Sequence, residues 1–195
     1  SGGMCYAYVD KEANVEKAAA VVLNSRCFDC FVCSAVDAVL VHEAIAKEFC
    51  EELLKQAESF DSISYATDEK IREFIPASRE LSTTDWIDET YDPNIVIGAV
   101  QSIEEAIAHI NENGSHLSDV IISESEENQN EFTRKVDSAI VYINASTAFT
   151  DGAEFGIGSD VGISTDKLGA RGPISLSDLT TTKYLVRGTG QIRSK

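Results

Sequence analysis

Long apolar runs are absent from the sequence. No stretch approaches the about 20 consecutive apolar residues that a membrane-spanning helix needs. Ser1-Gly2-Gly3 lacks the charged and apolar regions of a secretory signal peptide, so we expect no leader of that kind. The five cysteines are an odd number, as is typical of reduced proteins, and we therefore expect a cytoplasmic location.

Basic residues are scarce. The sequence has 16 Lys and Arg against 33 Asp and Glu, which gives a net charge of -17. Because proteins bind nucleic acid and anionic membranes by neutralising phosphates, this charge excludes both classes of partner. The length of 195 residues and the 43% hydrophobic content predict one domain, residues 1–195, with a sizeable core.

The glycine motifs of nucleotide-binding proteins are missing. No Gly-x-Gly-x-x-Gly follows a predicted strand, and no phosphate-binding Gly-x-x-x-x-Gly-Lys-Ser/Thr loop occurs. Gly156-Ile157-Gly158 is too short and follows a loop. The sequence therefore predicts no nucleotide-binding domain within this chain.

Apolar patterns of period 2 and of period 3.6 alternate along the chain. The predicted strands are Tyr6–Val9, Val36–His42, Ile95–Val100, Asp119–Ile122 and Ala139–Ile143, with Leu185-Val186 in a possible final strand. The predicted helices are Glu12–Leu23, Glu43–Gln56, Ile103–Asn111 (with Ser102 and Glu105 as a capping box) and Ser125–Lys135. A short strand, a short helix and loops are expected between Ser59 and Asp92. This alternation predicts an α/β fold with a mostly parallel sheet.

Three cysteines occur at Cys27, Cys30 and Cys33, the spacing of an iron–sulfur motif. A fourth ligand would have to come from Cys5, Cys50 or His42, as in zinc proteins. The alternative is that Cys27 and Cys30 are small apolar residues packed beside Phe28 and Phe31. The two interpretations stay open at this point.

A loop of small, polar and glycine residues follows the strand that ends at Ile143. Loops of this length inside a compact domain are usually functional or disordered, and this one has too few charges for disorder. Its motifs are Val141-Tyr142-Ile143-Asn144-Ala145-Ser146-Thr147, Asp151-Gly152, Glu154-Phe155-Gly156-Ile157-Gly158, Gly162-Ile163-Ser164-Thr165 and Ala170-Arg171-Gly172-Pro173. We expect the loop to form the wall of a site.

These motifs resemble those of the γ-glutamyl phosphate reductases (glutamate-5-semialdehyde dehydrogenases), a branch of the aldehyde dehydrogenase superfamily. The resemblance extends through Leu179-Thr180-Thr181 and Arg187-Gly188, and Val9-Asp10 and Leu40-Val41-His42 stand at the family's spacing. It covers nearly the whole chain but only the second half of the family's chain. It implies a three-layer sandwich, the thiol-bearing catalytic domain, without the N-terminal domain that binds NADP.

The resemblance implies a catalytic role for Cys33, the position of the family's single cysteine. The thiolate would attack γ-glutamyl phosphate, and NADPH would reduce the resulting thioester to the semialdehyde. A nearby cation favours thiolate, and Arg171 or Arg26 could supply it. We expect the Cys33 backbone N–H to donate to the developing oxyanion. Because half of the family's site is unmatched, the isolated chain should be nearly inactive.

The resemblance also implies roles for loop residues. Substrate binding falls to Asn144, Ser146, Thr147, Asp151 and Arg171, and cofactor binding to Glu154 and Phe155. Asn, Ser and Thr at these positions could equally hold the loop together by local turns, and Asp151 could be a turn residue before Gly152. Arg171 could clamp an anion or pair with one of the many acidic residues.

The site also departs from the family pattern. The family's Arg after Ala-Ser-Thr is Ala148, its His before Ala-Arg-Gly-Pro is Gly169, and its Asn after the nucleophile is Ser34. These changes favour an altered acyl substrate or a weakened activity. Two alternatives to the enzyme follow, an acidic α/β interaction module without catalysis and a cysteine-ligated metal protein. Thr180–Arg187 could form a homodimer contact, as the family's C-terminal strand does.

Overall fold

The computed structural model describes residues 3–60 and 62–194. They build a seven-stranded sheet in the order β4-β3-β5-β2-β1-β6-β7, and every pair of neighbouring strands is parallel. The strands are β1 (Cys5–Val9), β2 (Val36–His42), β3 (Ser64–Thr67), β4 (Arg79–Glu80), β5 (Asn94–Val100), β6 (Ser118–Ile122) and β7 (Ile140–Ile143).

Helices cover both faces of the sheet. They are α1 (Val15–Cys27), α2 (Ala46–Ala57), α3 (Glu69–Arg72), α4 (Ile103–Asn113) and α5 (Glu126–Lys135). The first three pack in one apolar core and the last two in the other. This confirms the predicted three-layer sandwich with a parallel sheet. Among the described residues, no helix has the length and apolar character to cross a membrane.

The central strands are apolar along their whole length because both of their faces are buried. In β1, Tyr6 and Tyr8 point to the core under α4 and α5, and Tyr8 stacks on Phe132 of α5. Ala7 and Val9 point to the opposite core under α1 and α2. This alternation explains why the four strands at the centre were readily predicted from sequence.

Polar side chains, rather than apolar spacing, set the helix starts. The prediction that the first helix begins at Glu12 was wrong by three residues, because the Asn14 side chain caps the helix by accepting the Lys17 N–H at 3.0 Å. The helix also continues to Cys27, beyond the predicted end at Leu23. At α4 the predicted cap is present: Ser102 accepts the Glu105 N–H, although the Glu105 carboxylate accepts from Gln101 instead of Ser102.

The second predicted helix, Glu43–Gln56, is divided in two. A 3₁₀ turn spans Glu43–Ile45, and α2 follows from Ala46. The weakly patterned stretch contains two short strands where one was expected, β3 and β4, around the short α3. A 3₁₀ turn at Thr83–Trp86 then brings the Trp86 ring against Gly98, where a Cβ atom would lie 2.7 Å from it.

The glycine-rich loop contains a small antiparallel hairpin that was not predicted. It pairs β8 (Ile163–Ser164) with β9 (Gly172–Pro173). The prediction of a possible final strand at Leu185-Val186 was wrong, because residues 174–194 contain no strand or helix. With no neighbouring strand within reach, these side chains stay exposed, Val186 by 90%.

The buried carboxylate of Asp119 in β6 generates a pH prediction. It accepts the Tyr6 N–H at 2.7 Å and a hydrogen bond from Ser138, but burial dominates and raises its pKa to about 6. Between about pH 4 and pH 6 the native state therefore binds more protons than the unfolded state, and the free energy of unfolding falls as pH rises. Asp119→Asn removes this contribution, so its unfolding free energy relative to wild type should rise by up to about 3 kcal/mol across that window. Urea unfolding at several pH values measures it.

Asp137→Asn is the control for this measurement. The pKa of Asp137 is lowered, first by its hydrogen bond from Lys167, so its protonation changes only at lower pH. Its difference from wild type should stay flat above about pH 5. A flat difference for Asp119→Asn as well would contradict the prediction.

Candidate functional site

Cys33 lies in the turn between α1 and β2, at the amino ends of the strands. Cys33 lines a cavity of about 370 Å³ together with Gly3, Leu117, Asp160, Gly162, Ile163 and Thr165. Gly3 precedes β1, which lies next to β2 in the sheet, and Leu117 precedes β6, the next strand beyond β1. Ligands of open parallel sheets usually bind at the carboxyl ends of the strands, so this site lies at the opposite edge.

The backbone of Cys33 is held from the side of β1. The Cys5 thiol donates to the Cys33 carbonyl oxygen at 3.3 Å. Gly3 packs directly on Cys33, and a Cβ atom at position 3 would lie 2.7 Å from the Cys33 Cα. Only glycine fits there, so the beginning of β1 fixes the position of the thiol.

The surroundings of the thiol are acidic. Burial raises the pKa of Cys33, Glu89 and Asp160 raise it further, and the backbone N–H of Cys33 lowers it. The two arginines proposed to favour the thiolate are bound elsewhere: Arg26 to Asp37 at 2.7 Å, and Arg171 to Asp137 at 3.2 Å. These surroundings favour the protonated thiol over the thiolate.

Arg26 is fully buried and organises the segment that faces the cysteine turn. Besides Asp37, its guanidinium donates to the carbonyl oxygens of Thr90 and Asp92 and to the Thr90 hydroxyl. Asp37 also accepts the Thr90 N–H at 3.2 Å. Burial raises the pKa of Asp37 to about 6, while Arg26 and the Thr90 N–H act in the opposite direction. The pair thus attaches residues 90–92 to the helix before the turn and to the strand after it.

The first part of the glycine-rich loop meets the same turn from the other side. A cavity of about 460 Å³ lies between them, lined by Asn24, Phe28, Val32, Ser34, Ala148, Phe149, Thr150, Asp151 and Glu154. Val32 and Ser34 contact this cavity, whereas Cys33 between them contacts the other. The cysteine turn therefore separates two cavities, and the loop contributes to both.

Three of the predicted substrate-binding residues have partners within the chain. Asn144 adopts φ +52° and exchanges two hydrogen bonds of 2.9 Å with the backbone of Ser123. The Ser146 hydroxyl lies 3.1 Å from the Ser25 hydroxyl, which accepts the Thr147 N–H at 3.1 Å. Ser146 and Thr147 are both buried. These contacts fasten the loop to β6 and α1; a substrate role for the three residues stays a prediction.

The other predicted residues lie nearer to the cavities. Asp151 accepts the N–H groups of Ala153 and Glu154, as a turn residue does, and it lines the larger cavity with Glu154. Phe155 lies outside that lining and is 41% exposed. Arg171 donates to the carbonyl oxygen of Thr165, which lines the Cys33 cavity.

Two carboxylates beside the thiol were missed by sequence reasoning. Glu89 lies in the stretch without periodicity, far from Cys33 in sequence, and Asp160 sits between loop glycines. The one available signal was topological: Glu89 precedes β5, whose neighbour in the sheet is β2.

The remaining cysteines are free, and Cys27 and Cys30 are half-buried. Burial raises the pKa of Cys27, and the Cys30 thiol faces the Tyr91 carbonyl oxygen at 3.7 Å. Within residues 3–60 and 62–194, no three His, Cys, Asp or Glu side chains come together as a metal site would require. The structure thus offers nothing in support of the metal-protein alternative.

Arg26→Met tests the importance of the buried pair. Removing one partner leaves the Asp37 carboxylate buried without its cation, so we expect a loss of about 3–5 kcal/mol in unfolding free energy, measured by urea unfolding. The control is Lys17→Met, which breaks an exposed pair with Glu124 and should cost less than about 1 kcal/mol. Equal losses for the two variants would contradict the prediction.

Comparison with known proteins matches this chain to reductases of acyl phosphates. It is 43% identical over 191 residues to a γ-glutamyl phosphate reductase of Halalkalibacterium halodurans and 42% identical to that of Bacillus subtilis. Each alignment covers 98% of this chain and 46% of the relative, so the chain spans about half the length of the curated relatives it matches. The resemblance drawn from the motifs is confirmed.

Solved structures agree. The γ-glutamyl phosphate reductase of Thermotoga maritima superposes with a TM-score of 0.93 at 38% identity, covering 100% of this chain and 47% of that one. An acetylating aldehyde dehydrogenase of Geobacillus thermoglucosidasius shares the fold, with a TM-score of 0.74 at 18% identity over 100% of this chain and 52% of that one. The model of the aldehyde dehydrogenase family matches residues 81–181. The chain belongs to the aldehyde dehydrogenase family.

Proposed function

We propose that this chain is the thiol-bearing part of a γ-glutamyl phosphate reductase, which forms glutamate-5-semialdehyde in proline biosynthesis. The observation that carries the proposal is the place of Cys33. Cys33 lines a cavity together with Asp160, Gly162, Ile163 and Thr165 of the loop that carries the reductase motifs. The similarity to reductases along 98% of the chain supports the substrate class.

The chemistry begins with the Cys33 sulfur attacking the acyl carbon of the substrate. The sulfur–carbon bond forms, the bond to the phosphate oxygen breaks, and phosphate leaves with its electron pair. Negative charge develops on the carbonyl oxygen, and the Cys33 backbone N–H is the donor that this chain contributes. The product of this half-reaction is a thioester on Cys33.

The larger cavity suits a nicotinamide cofactor, for which NADP is our proposal. Phe28, Val32 and Phe149 give it apolar and aromatic walls that match a flat ring, and Glu154 gives it a carboxylate that matches ribose hydroxyl groups. When bound, the cofactor supplies the hydride that reduces the thioester. Phe155 would flank this site from the neighbouring surface.

The charged end of the substrate lies in the smaller cavity, which Cys33 lines. Arg171 supports the wall of that cavity through the Thr165 carbonyl oxygen, and Asp151 lies on the loop between the two cavities. We assign carboxylate recognition to Arg171 and amino-group recognition to Asp151, with Asn144, Ser146 and Thr147 shaping the loop. Ala148 lines the larger cavity at the position where the family pattern has an arginine, which favours a changed fit for the ligands that meet there.

A second candidate function, an interaction module without catalysis, has one observation in its favour. The Cys33 thiol lies among carboxylates that raise its pKa. An unreactive thiol would favour the module, because the sequence similarity would then reflect the fold alone. Thiol acylation separates the two candidates.

The test uses p-nitrophenyl acetate, an activated acyl ester that reports acylation by releasing nitrophenolate. The 195-residue chain should release a rapid burst of about one equivalent that is absent from Cys33→Ser, because the reactive thiol lines an accessible cavity. Cys30→Ser is the matched control and should keep the burst. Intact mass measurement detects the acetyl group.

Hydride transfer is expected to fail in the same chain, and the reverse reaction tests it. With glutamate-5-semialdehyde, phosphate and NADP⁺, it should form no reduced nicotinamide above the Cys33→Ser background, because we propose that most cofactor contacts lie in the part of the relatives that it does not match. Cys33-dependent formation of reduced nicotinamide would contradict this split. A burst that survives in Cys33→Ser would contradict the assignment of the nucleophile.

We further propose that the reaction takes place in the cytoplasm, where the five free cysteines stay reduced.

We also propose that the chain forms a homodimer through the segment 180–187. Tyr184, Leu185 and Val186 form a run of exposed apolar side chains, 73–97% exposed, such as interfaces bury. Val186→Asp should therefore shift the chain from dimer to monomer in sedimentation velocity runs. Leu168→Asp, at another exposed apolar residue, is the control, and a wild-type chain that sediments as a monomer would overturn the proposal.

A further inference from the structure

The Cys33 thiol needs a proton acceptor, and the geometry provides one at the amino edge of the sheet. The strands β5, β2, β1 and β6 are consecutive neighbours and run parallel. The segments that enter them therefore converge at one edge: Glu89 before β5, Cys33 before β2, Gly3 before β1 and Leu117 before β6. The strand order thus brings Glu89 to the same edge of the sheet as the proposed nucleophile, where its charge acts on the Cys33 thiol.

Contacts hold Glu89 in that place. Its Oε2 atom accepts the Gly3 N–H at 2.8 Å and the Tyr91 hydroxyl at 3.1 Å. Gly3 in turn packs directly on the Cys33 backbone and lines the same cavity. Both hydrogen bonds use Oε2, and Oε1 accepts none from the described residues.

The segment behind Glu89 is rigid. Arg26 binds the backbone of Thr90 and Asp92, and Asp37 binds the Thr90 N–H, all within the buried network described above. Asp160 also faces the thiol, but it lies on the glycine-rich loop and has no side-chain hydrogen bond among the described residues. Of the two carboxylates, Glu89 is the preorganised one.

We propose that Glu89 takes the proton of the Cys33 thiol as the sulfur attacks the acyl carbon, an inference that rests on the proposed function. The S–H bond breaks as the S–C bond forms, the proton passes to the Glu89 carboxylate, and phosphate leaves with the electron pair of its bond to carbon. Both arginines considered for thiolate formation have carboxylate partners. A base adjacent to a protonated thiol replaces the cation that other thiol enzymes use.

Glu89→Gln tests the role, since the amide oxygen can still accept from Gly3 and Tyr91. The readout is the Cys33-dependent burst from p-nitrophenyl acetate, with Cys33→Ser subtracted, across a range of pH. Wild type should acylate at a rate that levels off near neutral pH. The variant should be about a hundredfold slower there, with a rate that keeps rising with pH as thiolate forms.

Two further measurements separate proton transfer from a structural role. Formate, a small carboxylate, should restore part of the rate to Glu89→Gln and none to Cys33→Ser. Asp160→Asn, the matched change at the other carboxylate, should not slow acylation near neutral pH, because it removes a charge that raises the pKa of the Cys33 thiol and leaves the proposed base in place. A slow Glu89→Gln variant that formate does not restore would overturn the inference.

The remaining outcomes are equally decisive. If Glu89→Gln acylates as fast as wild type or faster near neutral pH, Glu89 only repels the thiolate, and the inference fails while the proposed function stands. If Asp160→Asn shows the slow, pH-dependent rate instead, the proton goes to Asp160. If wild type shows no Cys33-dependent burst, the proposed function fails together with the inference.

Discussion

The buried pair of Arg26 and Asp37 is the constraint on which the site depends. A buried ion pair gains little net stability, because desolvation opposes the attraction between the charges. What this pair provides is position. It joins the last turn of α1 to the start of β2, so the cysteine turn between them has fixed ends, and it carries residues 90–92 across the same edge. The turn, its helix, its strand and the facing segment thus form one unit.

Because this unit holds the cysteine turn in place, the turn separates two different cavities. Val32 and Ser34 line the cavity with the aromatic walls, whereas Cys33 lines a cavity of glycines, aliphatic side chains and the carboxylate of Asp160. Under the proposed function, this turn would hold the Cys33 sulfur between the substrate in one cavity and the cofactor in the other. The loop after β7 serves both cavities because it returns from the carboxyl edge to the amino edge, where Thr150 bonds Ser118 at 2.9 Å. In the proposed reaction a carboxylate, rather than a cation, assists the Cys33 thiol.

The sheet could be predicted from the sequence, whereas the charged groups around the Cys33 thiol could not. Strands β2 and β5 are continuous apolar runs because both of their faces are buried, and such runs are recognisable without a structure. The start of α1 was misplaced because one amide, Asn14, outweighs apolar spacing. Leu185 and Val186 have strand-forming composition but no strand to pair with, which composition does not show. Arg26 was considered as a cation for the thiol, but its partner Asp37 could not be known from sequence, since it depends on how α1 packs against β2. Glu89 reaches Cys33 only through the order of the strands.

The close approach of Gly3 to Cys33 means that the reactivity of the thiol depends on the order of the chain at the start of β1. No side chain separates the chain at Gly3 from Cys33, and the Gly3 N–H donates to the carboxylate of Glu89. Any loosening where the chain enters β1 displaces the sulfur and its neighbouring acid together. The alkylation rate of Cys33 therefore reports local opening at the start of β1 before the whole domain unfolds.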